Sequence, residues 1–369
     1  MDATRRDLIM QRWNAIQYDV LPELGAEVGV VTPKLARVAH VLEWARVEEF
    51  VSESWCGIGR PPYVRAWLAN AFVAKVVLGI GTTAGLVERL AMDKALRRIC
   101  GFAPYSKLPS EATFSRAFAQ FAEAKIVERA YEAMIKEHLG TELVGHISRD
   151  GTAIAARERP VAPGVAEAAV KPDKKGACKP QGKRAVPASA SPIQRQRSQS
   201  LPEMLAELPT ACDRGTKCNA QGYKTSWNGY KLHIDTADCG VPIAALLCSA
   251  SMHDSRAAVP LSHITKDRVT NLYDLMDAAY CSKELHAHCR DLGHVPLIDH
   301  NPRGGEKEYF EPADAVRYRE RSIAERTNAR LKDEFGGRNI MVKGHTKVMS
   351  HLMFGLLALG ADQLMRLRR

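Results

Sequence analysis

Several things are scarce or missing in this chain of 369 residues. Cysteine is sparse, nine residues in all, an odd number with no C-x-x-C pair. That spacing excludes a disulfide scaffold and the usual zinc knuckles, and it fits reduced thiols in a cytoplasmic protein. Long apolar runs are missing too. The cleanest, Leu352 to Ala361, is about half of the ~20 residues that a membrane span needs. The N-terminal MDATRRDLIMQRW has no apolar stretch of the secretory type. No G-x-x-x-x-G-K-[ST], G-x-G-x-x-G or G-x-S-x-G occurs, so nucleotide hydrolysis lacks its phosphate cradle and serine hydrolysis its elbow. No repeat of solenoid length is present.

What is abundant is positive charge. The net charge is +10, and it is gathered. Residues 157–200 hold 10 basic and 3 acidic side chains, and residues 315–369 hold 12 and 5. Basic charge concentrated in two segments points to a polyanion, most often nucleic acid.

The chain changes texture twice. Residues 1–140 carry apolar positions at three and four spacing in Leu35–Phe50, Val64–Leu78 and Phe114–Ile135, which predicts helices. Thr82, Asp93 and Ser110 are placed to cap three of them. Short helices bearing Arg65, Arg97, Arg98 and Arg116 suit either a helix-turn-helix-like DNA reader or an all-helical packing domain. From Leu143 the alternation predicts a strand through Asp150. Residues 157–200 then hold six prolines and no aromatic residue. Such a segment cannot bury enough apolar area to offset chain entropy, which predicts a disordered basic insertion, a phosphate-contacting arm or a passive linker. A hairpin follows at Tyr230–Ile234 and Val241–Leu247, turning at Asp238-Cys239-Gly240. Then come a helix over Ser255–Lys266, a strand over Leu272–Asp277, a helix near Lys283–Leu292, a strand Val295–Ile298, a charged helix Tyr318–Phe335 and an apolar last helix, Val348–Leu367. This is an α/β order with mixed strand directions, that of a ribonuclease-H-like domain. The expected organisation is a helical, DNA-end-binding part at 1–140, a catalytic domain at 141–345 with a partly disordered insertion at 157–225, and a C-terminal helix at 346–369.

Three carboxylates sit at telling places: Asp150 in the first strand, Asp277 at the end of a later one, and Glu325 on the charged helix. Phosphodiester chemistry uses hard oxygen ligands around paired divalent ions, and carboxylates on neighbouring strand ends could converge to supply them. Asp274 is a rival to Asp277. On a continuous helix Tyr318, Arg321, Glu325 and Lys332 share one face, which would flank a carboxylate with two cations and a phenol. The plain alternative is a solvated charged helix. Cys281, His286, His288 and Cys289 offer zinc-ligand chemistry, but on one helix they cannot all face one ion.

The spacing Tyr-(2)-Arg-(3)-Glu-(6)-Lys resembles the Tyr-Arg-Glu-Lys signature of bacterial insertion-sequence transposases of the DDE type. Asp150-Gly151-Thr152 resembles that family's first-aspartate motif, and Asp277-Ala278-Ala279-Tyr280 its second, with Ala279 where relatives often have Gly. Asn228-Gly229-Tyr230-Lys231-Leu232-His233, Met252-His253-Asp254-Ser255, Lys343-Gly344-His345 and Pro109–Arg116 are similar to further stretches of it. The resemblance implies a ribonuclease-H-like core in which Asp150, Asp277 and Glu325 hold two Mg²⁺, with Mn²⁺ able to substitute. It implies cutting at element ends and transfer of the freed 3′-hydroxyl into target DNA, by a homodimer acting on terminal inverted repeats. Tyr318, Arg321, Lys332, Arg326 and Lys343 would contact that DNA. A nuclease of the same fold without strand transfer, and a DNA-binding regulator without catalysis, are the competing readings.

Overall fold

A computed structural model gives the fold and describes residues 31–52, 62–103, 105–160, 191–218, 222–302 and 305–368. The middle of the predicted basic insertion, 161–190, lies outside the described residues.

The N-terminal part is helical: α1 (Pro33–Ala45), α2 (Arg65–Val77), α3 (Thr83–Met92), α4 (Lys94–Cys100), α5 (Glu111–Glu123) and α6 (Ile126–Leu139). Local chemistry sets several starts. Thr32 accepts from the Leu35 amide just before Pro33, Thr82 from Gly85, and Asp93 from Leu96. Ser110 stands at the N-cap of α5, but its hydroxyl bonds the Thr113 hydroxyl instead of an amide. The apolar faces meet in an aromatic cluster, where Phe72 lies edge-on to Phe114, Phe118 and Phe121.

The rest is built on one mixed sheet. Its strands are β1 (Leu143–Ala155), β2 (Asp213–Cys218), β3 (Lys224–Ala237), β4 (Pro242–Ser249), β5 (Thr270–Met276) and β6 (Val295–Ile298). The order is β2-β3-β1-β5-β6, with β4 also paired to β3. β1 runs antiparallel to β3 and parallel to β5, and β6 is parallel to β5. Parallel neighbours need crossovers. These are α9 (Ser255–Lys266) and α10 (Lys283–Asp291), which follow α7 (Pro192–Gln196) and α8 (Leu201–Ala206) in the chain. The α/β architecture with a helical N-terminal part and a ribonuclease-H-like sheet domain is therefore what forms.

The last helix, α13 (His345–Leu367), packs on α1, α2, α5 and α6 and also touches β4. It is long and apolar enough to cross a membrane, yet it is largely buried inside the protein. That burial explains its apolar character on most faces: Phe354 joins the Phe72 cluster, and Leu352, Leu356, Leu357 and Leu359 are all within one core with β1, β3 and β4. Each such side chain contributes about 1.5–3 kcal/mol. A Cβ at Gly360 would lie 2.9 Å from the Tyr131 ring, so a small residue is what lets α13 approach α6.

Several expectations are corrected. The charged helix Tyr318–Phe335 is broken into α11 (Pro312–Arg319) and α12 (Ser322–Asp333). At the break Arg321 N bonds Tyr318 O, Ile323 N bonds Glu320 O and Ala324 N bonds Arg321 O, each at 3.0 Å. These are i→i+3 bonds, which tighten the turn and advance side chains by more than the α-helical 100°. Tyr318 and Lys332 therefore do not share one straight helical face. The insertion is also ordered at its C-terminal end. Capping boxes at Ser191/Gln194 and Ser200/Glu203 start α7 and α8, each with Pro in the first turn, so Pro192, one of the six prolines of the insertion, opens a helix here. β2 then adds a strand where none was expected, and β3 begins earlier than the predicted hairpin.

Candidate active site

The site grows from the register of two parallel strands. Arg149 pairs with Met276 across β1 and β5, so Asp150 and Asp277 occupy the next level of both strands. Neighbouring strands lie about 4.8 Å apart, which makes these aspartates neighbours. Asp277 just follows β5, and its Oδ1 accepts from the Ala279 amide at 3.0 Å, capping a 3₁₀ turn over Ala278–Tyr280. Asp274, the rival, points elsewhere. It is buried, bonded to His294 Nδ1 at 2.9 Å and to Asn271 Nδ2 at 3.1 Å. Burial works against its charge, but His294 and Arg149 outweigh that and hold its pKa down. It belongs to the core.

What fixes the register is Arg149, whose side chain is 1% exposed. Its Nε and Nη2 each donate to Asp235 at 2.7 Å, directly across on β3, and its Nη1 reaches Met276 Sδ at 3.7 Å on β5. Thr265 of α9 donates to Asp235 at 2.6 Å. Three strands are thus clamped one residue away from Asp150.

Over the aspartates lies α12. Asn328 Nδ2 donates to Asp150 Oδ2 at 2.8 Å. Arg321, in the tight turn that leads into α12, has Nη2 2.6 Å from Glu325 Oε1 and Nη1 3.6 Å from Asp150 Oδ1. Its charge also acts on Asp277. Lys332 Nζ donates to Thr152 Oγ1 at 2.6 Å, which gives the Thr of Asp150-Gly151-Thr152 a role. The Arg321 charge acts on the Tyr318 phenol, whose ring lies 4.7 Å from that of Phe310. The structure thereby gathers Asp150, Asp277, Glu325, Arg321, Lys332 and Tyr318 at one face of the sheet. Arg326 and Lys343 are exposed and make no contact with this cluster among the described residues.

The remaining motif residues brace it. His233 Nδ1 and Tyr280 OH are 2.9 Å apart and fully buried, tying β3 to the turn after Asp277. Burial pushes His233 down to about 4, so it is a neutral strut at physiological pH. Lys231 Nζ bonds Asp254 at 2.5 Å and Met252 O at 2.9 Å, joining the hairpin to the stretch before α9.

Electrostatically the site is governed first by burial. Burial raises Asp150 to about 6, with repulsion from Asp277 adding to it and Arg321, Lys217 and Asn328 opposing. Asp277 is raised by burial and by Asp254. Burial lifts the Tyr318 phenol to about 12. Two residues escaped the sequence reading. Asn328 was legible in principle, three residues after Glu325 and four before Lys332 on the same helical face. Lys217 was not, because it comes from β2, whose pairing only the fold defines.

Two half-buried, mutually repelling aspartates are oxygen donors suited to a hard divalent cation. Glu325 is 59% exposed and tied to Arg321. Among the described residues no three His, Cys, Asp or Glu side chains are grouped closely enough to hold one ion. The aspartate pair fits a metal, and Glu325 could complete the set only by leaving Arg321.

Residues 206–360 match the family described as "Transposase DDE domain", and residues 29–120 match "Transposase domain (DUF772)". The first match spans the sheet from β2 onward and α12, and the second spans the N-terminal helices through most of α5. No curated protein and no solved structure matches the chain.

Proposed function

We propose a function from one premise: the chain belongs to the DDE transposases of insertion sequences, enzymes that process DNA and usually use divalent metal. The reading we favour is Mg²⁺-dependent cleavage at the ends of an insertion sequence, followed by transfer of the freed 3′-hydroxyl into target DNA. The observation that carries it is the side-by-side placement of Asp150 and Asp277 on adjacent parallel strands beneath Arg321, Asn328 and Glu325. Asp150 and Asp277, joined by Glu325, would hold two Mg²⁺ ions. Bound there, the ions would supply Lewis-acid polarisation of the phosphate and charge for the attacking and leaving oxygens.

The chain's own groups do the rest. Asn328 and the Arg149 clamp hold Asp150 in one orientation. Burial raises both aspartates, so they favour a cation over solvent. Arg321 compensates the carboxylates in this state and is placed to pair with a phosphate when they bind metal. Lys332, held by Thr152, offers a second phosphate contact, and Tyr318 a hydrogen bond or stacking face beside the cut. A homodimer bridging two terminal repeats, with Arg326 and Lys343 on the DNA, belongs to the same reading.

The test is cleavage of DNA that carries the gene's own borders, in Mg²⁺, with joined products scored separately. Asp150→Ala, Asp277→Ala and Glu325→Ala are each expected to lose several kcal/mol of catalysis, about a thousandfold in rate or more, while keeping DNA binding. Cutting that persists in any one of them removes that residue from the set. Cutting without joined products would leave a nuclease.

A further inference from the structure

β3 is longer than its partners. Its pairing with β1 ends at Gly229, opposite Ala155, and its pairing with β4 ends at Tyr230, opposite Ser249. Beyond that level β3 pairs with β2, from Asp213↔Gly229 to Cys218↔Lys224, and its one other strand-type bond runs from Ala156 N to Asn228 O at 3.0 Å among the described residues. Residues 213–218 and 224–228 therefore form a two-stranded ribbon projecting past the sheet. Its root is anchored: Ser251 Oγ bonds Asp213 at 2.5 Å, and Ser249 Oγ bonds Ala211 O.

Isolated two-stranded ribbons are marginal in water, and one that persists usually buries an apolar face. This one does not. Trp227 folds flat over Gly215, its indole donating to Tyr230 O at 2.9 Å, and Thr216 and Ser226 hydroxyls meet across the strands at 3.1 Å. Arg214, Thr216, Lys217, Lys224, Thr225, Ser226 and Asn228 are all exposed. Among the described residues the side chains of Arg214, Lys217 and Lys224 have no ion-pair partner. Strand alternation sorts them. Lys217 and Thr225 share one face, while Arg214, Asn228, Thr216, Ser226 and Lys224 share the other. The ribbon lies close to the active site, near enough for the Lys217 charge to act on both Asp150 and Asp277. Lysines that merely guard an edge strand against aggregation need have no such position.

We propose that this ribbon is a DNA-gripping arm. Lys217 holds a phosphate of the strand being cut, beside Asp150 and Asp277, and Arg214 and Lys224 hold phosphates of the flanking duplex. A two-stranded ribbon fits the major groove, and cations with hydroxyls on opposite faces suit contact with two phosphate rows. The inference rests on the reading of the site as one that cuts DNA.

The experiment is a salt series, 50 to 200 mM, of full-length protein binding a fluorescent duplex that carries the DNA bordering the gene. Each ribbon cation removed should lower the salt slope by about 0.9. Arg214→Ala with Lys224→Ala should thus make the affinity loss across the series about tenfold smaller, and Arg214→Lys with Lys224→Arg should restore it. Lys217→Ala should remove a further increment. Lys266→Ala with Lys283→Ala, exposed cations on α9 and α10, should change nothing. Wild-type binding with an unchanged slope in the ribbon variants overturns the arm and leaves the DNA-cutting reading standing. A wild-type protein that does not bind the duplex overturns both.

Discussion

Arg149 and Asp150 are adjacent in one strand, face opposite sides of the sheet, and are treated in opposite ways. Arg149 is sealed in the core with a fully matched charge: a bidentate Asp235, a Thr265 bond to that carboxylate, and Met276 sulfur beyond. Asp150 is 18% exposed with its charge only half matched, by one amide bond and an arginine at 3.6 Å, against repulsion from Asp277. A charge satisfied from within holds a fold together. A charge left short of partners is available to something from outside. On the proposed reading, the difference separates the part of this strand that builds the sheet from the part that would hold a metal ion.

The sharpest way to break that comparison is to open the sealed pair. Arg149→Met leaves Asp235 buried without its cation and should cost about 3–5 kcal/mol in urea unfolding. Adding Asp235→Leu should recover most of that loss, because two apolar groups need no partner. A double variant no more stable than the single would show that the pair is not the unit that matters.

Asp150 should behave the other way. Its folded pKa, about 6, is above the ordinary carboxylate value, so the folded state holds the proton more tightly than the unfolded chain. Without divalent ions, stability should therefore fall as pH rises from about 4 to 6, with the full penalty present above that. Asp150→Asn removes the penalty and should be more stable than wild type at pH 7 by about 3 kcal/mol, and equal to it below pH 4. Equal stability at both pH values would mean that Asp150 is as well satisfied as Arg149. The smallest effect belongs to the rim. Lys332→Ala should weaken DNA binding and lower the salt slope by about 1, leaving unfolding nearly unchanged.

Periodicity carried much of the architecture. The helix Ser255–Lys266 and the strand Val295–Ile298 form with the bounds that spacing predicts, because amphipathic faces and Gly or Asp stops are local properties. The break at Glu320–Arg321 was illegible, since those residues are compatible with an uninterrupted helix. The ordering of Ser191–Ala206 depends on docking: Ile193 and Met204 are buried in a cluster with Ala258 and Val259 of α9. For the candidate site, Asp150, Asp277, Glu325 and the residues spaced around Arg321 could be named from motifs. Lys217 could not, nor could the role of Arg149.

The sequence by itself determined which residues carry charge and at what spacing, and so most of the elements, the basic character and the family resemblance. Only the tertiary structure decided which of two nearby aspartates, Asp274 or Asp277, turns into the core, and which cations the projecting ribbon carries on each face. The reason is that strand register and burial are set by contacts between segments far apart in the chain. A one-residue shift would exchange the faces of every side chain on β1.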